Sequence, residues 1–349
     1  MRTSYRPEDV TLLLKDITGL VTPLPAAERE KYIQSGTHYC EMLPLEYTPA
    51  PAYLEAYEQA LITQADAVAA AVRRTADLLY AIHHENLVLV SLARAGIPIG
   101  ILLRWQLQRK YSINVPHYAI SIIRGRGIDH NAMQYLLSRY APEQLRFVDG
   151  WTGKGAIYRE LQKELSAYPG VSPDLVVLSD PANLTPLCGT HMDLLIPSSC
   201  LNCTVSGLIS RTFLRKDIIG QNDFHGAAYY GQLAAEDRSY SFLRAIAARL
   251  STAPDLPEIE LTGTGLAEAE QIASHFGISD INFVKPGIGE ATRVLLRRVP
   301  WKLLVREGET SDGTLKHLFQ LAQEKNVPIE TYPLKHYRAC GIIKRLADT

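Results

Sequence analysis

The chain has 349 residues, 36 basic and 37 acidic side chains, a formal net charge of −1, and 46% apolar against 21% charged residues. That mix fits a soluble folded protein long enough for two domains, and excludes a disordered chain, a collagen-like chain, a basic coat protein and a polyacidic tail. The apolar tract from Leu87 to Leu103 is broken by Ser91, Arg94 and Pro98, so it is no membrane span. Met1 to Asp9 is polar and lacks a signal-peptide core, and five cysteines without an export signal point to cytoplasmic thiols rather than disulfides.

Residues 1–50 are weakly periodic and read as an N-terminal extension. Tyr53 to Tyr80, rich in Ala and Leu, predicts a long helix. Leu87 to Val90 reads as a buried parallel strand, and Ile97 to Lys110 as a helix. His117 to Ile123 is a strand candidate, followed by the basic, glycine-rich Arg124 to Gly127. Then come helix Asn131 to Tyr140, strand Leu145 to Val148, helix Gly155 to Ser166, strand Leu175 to Leu178, and a further strand candidate at Leu194 to Ile196. Strands alternating with helices imply a mostly parallel sheet. Ala253 to Pro257, with two prolines, reads as a linker. Beyond it the alternation restarts: helix Leu266 to Phe276, strand Ile281 to Val284, helix Glu290 to Arg298, strand Leu303 to Val305, helix Thr314 to Lys325, strand Ile329 to Tyr332. The expected division is 1–252 and 258–349. Residues 285–349 hold 12 Lys/Arg and 7 Asp/Glu, leaving 24 and 30 for the rest, so the second domain is expected to be the basic one.

The most informative segment runs from Leu145 to Ile157. An apolar strand ends in Asp149, then Trp151, Thr152, Gly153, Lys154 and Gly155 form a short loop into a helix. A carboxylate at a strand end can hold vicinal ribose hydroxyls, and loop N–H groups before a helix suit a phosphate. A Walker A loop is excluded, since Gly155 follows Lys154 where Ser or Thr is required. Arg94, Ala95 and Gly96 form a second strand-to-helix turn, and Arg124 to His130, with Arg126 at its centre, a third. Three such strand ends fit the rule that open α/β sheets bind ligands at their carboxyl edge.

These segments resemble type I phosphoribosyltransferases, with Asp149 at an acidic position of that family's signature, Thr152 to Gly155 in its phosphate loop, and Gly150 where a second acid usually stands. Ser35 to Glu46 and Leu201 to Thr212 resemble a bacterial phosphoribosyltransferase-like subgroup associated with tellurite-resistance and stress-response operons, which carries a C-terminal Pelota-type RNA-binding domain. Some of its members are named cysteine proteases. The resemblance implies a type I phosphoribosyltransferase-like α/β sheet flanked by helices, followed by a small αβα Pelota-like domain. It further implies a transferase using phosphoribosyl pyrophosphate as substrate, with Asp149, Arg94 and Arg126 in catalysis. Asp149, Trp151, Thr152, Gly153, Lys154, Gly155, Ala95 and Gly96 would bind the ligand, with Mg²⁺ held through its pyrophosphate and by Asp149 rather than by protein ligands alone. The partner it implies is a small-molecule nucleotide substrate, and the acceptor is left open. A non-enzymatic nucleotide-sensing RNA regulator and a cysteine protease are the alternatives.

Against the protease stands the lack of a visible dyad: alternation would put His38 and Cys40 on one face of a strand, and no papain- or caspase-like signature occurs. Small buried thiols are the plainer reading of all five cysteines. Cys188-x-x-His191 and Cys200-x-x-Cys203 have the spacing of zinc ligands, but the residues between them read as strand rather than knuckle. In the second domain, Lys285, Gly287, Gly289, Glu290 and Arg293 resemble the RNA-contacting loop of the Pelota and kink-turn-binding group, with Gly289 replacing an Asn and Arg293 a Lys. RNA is the expected partner there, no membrane is, and the composition leaves room for a homo-oligomer.

Overall fold

The structure is a computed structural model that describes residues 1–311 and 313–345. Its elements begin with β1 (Thr11–Leu12), β2 (Lys15–Asp16), α1 (Ala26–Gln34) and α2 (Pro51–His83). The central run is β3 (Val88–Leu92), α3 (Gly96–Tyr111), β4 (His117–Ile120), β5 (Ile122–Ile123), β6 (Gly127–Ile128), α4 (His130–Leu137), β7 (Leu145–Val148), α5 (Ala156–Leu165), β8 (Leu175–Ser179) and β9 (Cys188–Thr190). Then follow β10 (Gly226–Ala227), α6 (Ser239–Ala247), α7 (Gly265–His275), β11 (Val284–Pro286), α8 (Ile288–Arg297), β12 (Pro300–Arg306), α9 (Lys316–Glu324), β13 (Ile329–Tyr332) and β14 (Ala339–Ile343). Among the described residues, no helix is long and apolar enough to cross a membrane.

The main sheet is six-stranded, in the order β1-β4-β3-β7-β8-β9, and every pairing is parallel. Parallel strands need crossovers, which α3, α4 and α5 supply. Every residue of β3 and β8 is buried, as expected of strands covered on both faces. Along β3 the side chains alternate. Val88, Val90 and Leu92 pack with Met133 and Leu136 of α4 and Leu161 and Leu165 of α5. Leu89 points the other way, into the cluster formed with α2, α3 and α6.

The second sheet has the order β11-β14-β12-β13, with β14 antiparallel to both neighbours and β12 parallel to β13. Helix α7 covers one face through Ala269, Ile272 and Ala273. The face bearing α8 and α9 joins the core of the first unit. Ile288, Leu295, Leu318 and Leu321 belong to the same apolar cluster as Ala65, Val72 and Leu201. Residues 253–264 form no helix or strand.

Several expectations need correction. Leu194 to Ile196 is buried but forms no strand; the sheet's last strand is Cys188–Thr190, a Cys-Gly-Thr stretch without an apolar signature. The central β14 was not foreseen, because its Ala-Cys-Gly start is not β-branched. The extension contains helix α1 and the edge strand β1. The second unit as a whole is not basic: Glu258, Glu260, Glu268, Glu270 and Asp280 bring its acids from residue 258 onward to twelve, equal to its twelve lysines and arginines.

Candidate functional site

The loops after β3 and β7 line a cleft of about 1030 Å³ together with Lys285 and Pro286 of β11 and Glu290 and Arg293 of α8 in the second unit. The loop read as a phosphate site and the loop read as an RNA site therefore form one place. The Arg293 guanidinium lies 4.5 Å from the Trp151 ring centroid and 3.0 Å from Glu290 Oε1. A Cβ on Gly289 would lie 3.2 Å from the Trp151 ring, which gives glycine in place of the family's Asn a packing reason.

Much of the predicted phosphate loop is occupied by protein contacts. The Thr152 N–H donates to Ser179 O at 3.0 Å, and its hydroxyl to Asp180 Oδ1 at 2.5 Å. The Gly153 carbonyl accepts from the Tyr337 hydroxyl at 2.8 Å. The Lys154 ammonium donates to the Ile281 and Val284 carbonyls of the second unit, at 2.8 and 2.7 Å. Burial, with Lys285 nearby, pushes Lys154 down to about 7. Asp149 lines the cleft and accepts from the Gly150 N–H at 2.8 Å. Burial pushes its carboxyl up to about 6 although Arg293 opposes the shift.

Other predicted residues scatter. Arg94 lines the cleft but already donates to the Ile209 carbonyl at 2.7 Å and reaches Asn202 Oδ1 and Glu46 Oε1 at 3.3 and 3.4 Å. Ala95 lines the cleft. Gly96 instead backs onto β7, where a Cβ would lie 2.2 Å from the Val148 oxygen. Arg126 is outside the lining and pairs with Glu41 at 2.9 Å. Lys285 and Glu290 line the cleft; Gly287 and Gly289 do not. Sequence reading missed Arg29 and gave no site role to Glu46 and Arg211, which lie in segments it singled out, while Arg297 reads there only as part of the basic charge of the second domain; all four line the cleft. Arg211 lies in a segment already singled out, but nothing local in sequence joins it to the others.

Five free thiols are present, all buried. His38 and Cys40 are not on a strand. His38 precedes a short 3₁₀ turn, Tyr39–Glu41, which folds its ring back over the chain. His38 Nδ1 lies 3.0 Å from Cys40 Sγ, and Nε2 lies 3.1 Å from the Arg124 carbonyl. The expected placement of the two on one face of a strand is thereby corrected: a three-residue turn brings the ring to the thiol. Burial pushes the Cys40 thiol up to about 11 and the other four to about 12. Burial and Arg126 lower His38. Cys188 Sγ lies 3.7 Å from His191 Nε2, with Asp180 completing a cluster of three donor atoms within 4.8 Å of one another. Asp180, not the Cys200 and Cys203 pair of the zinc spacing, is the neighbour.

Comparison with known proteins gives the family. Residues 3–247 match the family described as tellurite-like stress resistance cysteine protease StiP, and residues 263–345 match the PELOTA RNA binding domain. A relative in Acinetobacter baylyi named "Cysteine protease StiP" is 37% identical over 364 aligned residues, covering 98% of this chain and 94% of the relative. These names are those of a cysteine hydrolase, and they overturn the expected phosphoribosyl transferase and its use of phosphoribosyl pyrophosphate. The chain belongs to the StiP family of tellurite-like stress resistance proteins, with a Pelota-type RNA-binding domain behind its family segment.

Proposed function

We propose that the protein is a cysteine-dependent peptide hydrolase, with Cys40 as nucleophile and His38 as its base. The observation that carries this is the contact of His38 Nδ1 with Cys40 Sγ at 3.0 Å, with Nε2 tied to the Arg124 carbonyl. An Nε2–H donated to that carbonyl makes Nδ1 the accepting nitrogen, shared between the Cys40 N–H at 3.4 Å and the thiol at 3.0 Å, the tautomer a general base needs. The thiol proton passes to Nδ1 as sulfur adds to the peptide carbonyl carbon. The imidazolium then returns the proton to the departing amine, and water hydrolyses the thioester. At rest the pair is neutral, because burial holds the thiol protonated, and the thiol, 0% exposed, must be uncovered before it attacks. The name of the relative supports this reading.

Purified wild type should cleave an unfolded protein such as casein. Cys40→Ala and His38→Ala should lose at least about a hundredfold in rate, a base contributing roughly 10²–10⁴. Cys188→Ala and Cys203→Ala should not. Cleavage by Cys40→Ala at the wild-type rate would overturn the assignment.

The first unit's sheet we read more finely as of the type I phosphoribosyltransferase kind. Its support is the pair of loops after β3 and β7 at the carboxyl edge, and a fold carries no activity with it. Five free thiols support a reducing, cytoplasmic setting. For the second unit the Pelota match supports RNA binding, and RNA reaching Lys285, Glu290 and Arg293 must enter the cleft they line.

A further inference from the structure

Ten arginines and lysines against five carboxylates line the cleft. At the end nearest Glu46 the imbalance is sharpest. Arg29 comes from α1, Arg94 from the loop after β3, Arg211 from the long segment before β10, and Arg297 from the last turn of α8 in the second unit. Four separate parts of the chain thus place guanidinium groups around one buried acid, Glu46.

Arg94 and Arg297 are anchored. Arg94 donates to the Ile209 carbonyl at 2.7 Å, and Arg297 to the Leu201 carbonyl at 2.6 Å. Such bonds to neutral carbonyls fix direction without neutralising charge. Arg29 and Arg211 have no hydrogen bond or ion pair to protein among the described residues. The Nε of Arg29 is buried and unpartnered, and Arg211 meets the Tyr39 ring, 5.2 Å from its centroid. Burial and the neighbouring arginines push Arg211 down to about 10 and Arg297 down to about 9. One carboxylate cannot balance four such cations. Buried charge without a partner is costly, so the cluster is built around an anion that comes from outside.

We propose that Arg29, Arg94, Arg211 and Arg297 form a subsite for a phosphate-type oxyanion at the Glu46 end of the cleft, held jointly by the two units. A tetrahedral oxyanion offers acceptors in several directions, which suits guanidinium groups arriving from four segments; a lone carboxylate offers them in one plane. The phosphate can be free, on a small molecule, or at the end of an RNA. The subsite is independent of the thiol reading, since none of its residues touches Cys40 or His38.

The test is calorimetric titration of the full chain with inorganic phosphate, and with one short single-stranded RNA bearing either a 5′-phosphate or a 5′-hydroxyl. Phosphate should bind and raise the unfolding temperature. Arg211→Gln and Arg29→Gln should each weaken it by about tenfold or more, as loss of a charge-assisted bond does. Both variants should unfold at or above the wild-type temperature without phosphate, because each removes an unpaired, half-buried charge. Tighter binding of the 5′-phosphate RNA than of the 5′-hydroxyl RNA assigns the group to an RNA end; equal binding of the two RNAs, with phosphate still bound, assigns it to a small molecule. The Cys40→Ala variant should bind phosphate as wild type does, so loss of hydrolysis and loss of binding are read separately. Failure of both phosphate and 5′-phosphate RNA to bind wild type, or undiminished binding in Arg211→Gln and Arg29→Gln, overturns the proposal.

Discussion

Asp193 is the joint between the two units. It lies in the first, yet its carboxylate accepts from the Ile288 N–H at 3.0 Å and from the Arg338 N–H at 2.8 Å, both in the second. The first of these is the opening residue of α8, whose own preceding residue offers no side-chain cap. A helix begins with unpaired N–H groups and a partial positive charge, so a carboxylate there caps it twice over. Asp193→Ala leaves one N–H buried and one partly buried without acceptors. Each orphaned donor costs about 1–3 kcal/mol, so the variant should lose about 2–5 kcal/mol, which corresponds to a fall of about 5–10 °C in unfolding temperature. Asp193→Asn keeps one acceptor oxygen and should lose less. Burial also pushes this carboxyl up to about 6, above the ordinary carboxylate value. Between about 4 and 6 the native state then binds more protons than the unfolded state, so wild-type stability falls as pH rises through that window. Asp193→Asn should flatten that slope. Urea unfolding of the three proteins at pH 4.5, 6 and 7.5, roughly spanning the window, checks both claims. An Asp193→Ala protein within about 0.5 kcal/mol of wild type at neutral pH would refute the reasoning.

Two predictions concern the loops around the cleft. Gly96→Ala should cost about 3 kcal/mol or more in urea unfolding, because the new Cβ would stand 2.2 Å from the Val148 oxygen and 3.2 Å from Asp149 Cα, both backbone; unchanged stability would mean that β7 yields. Lys154 falls from its ordinary value to about 7 on folding, so above pH 7 the unfolded state binds more protons, and stability should rise with pH from about 7 to 10. Lys154→Met should abolish that rise, measured as the difference in urea midpoint between the two proteins across that range; parallel pH curves would show that the lysine is not held as described.

The main sheet was legible because β3, β7 and β8 are short apolar runs, and buried parallel strands have no other signature. Their outgoing loops were legible too, since glycine next to Arg94, Asp149 and Lys154 breaks an apolar pattern. What those loops face was not. Lys154 reads in sequence as a phosphate ligand, but its partners, the carbonyls of Ile281 and Val284, lie over a hundred positions away. The thiol was misread for a local reason. Residues two apart share a face on a strand, but His38 caps a 3₁₀ turn, and the contact depends on that turn. The charge of the second unit was misread because its count began at residue 285, after the acidic α7 segment.

The packing of two functional-looking loops against each other changes what the cleft can recognise. Thr152 spends its polar groups on Ser179 and Asp180 of the first unit, Gly153 and Lys154 spend theirs on holding the second, and Arg293 spends its face on Trp151. Among the described residues, Arg29, Arg211 and Lys285 line the cleft without a hydrogen bond or ion pair, and Arg29 and Arg211 are half-buried, where an unpaired cation is costly. A fold selected for stability alone would replace them, since a neutral side chain there relieves repulsion and desolvation at once. Their presence beside a cleft of ligand size is therefore better explained by what the cleft binds than by what holds it together. Arg297, contributed by the second unit, means that binding and docking of the two units reinforce each other: a ligand that neutralises the cluster removes the charge repulsion across their interface.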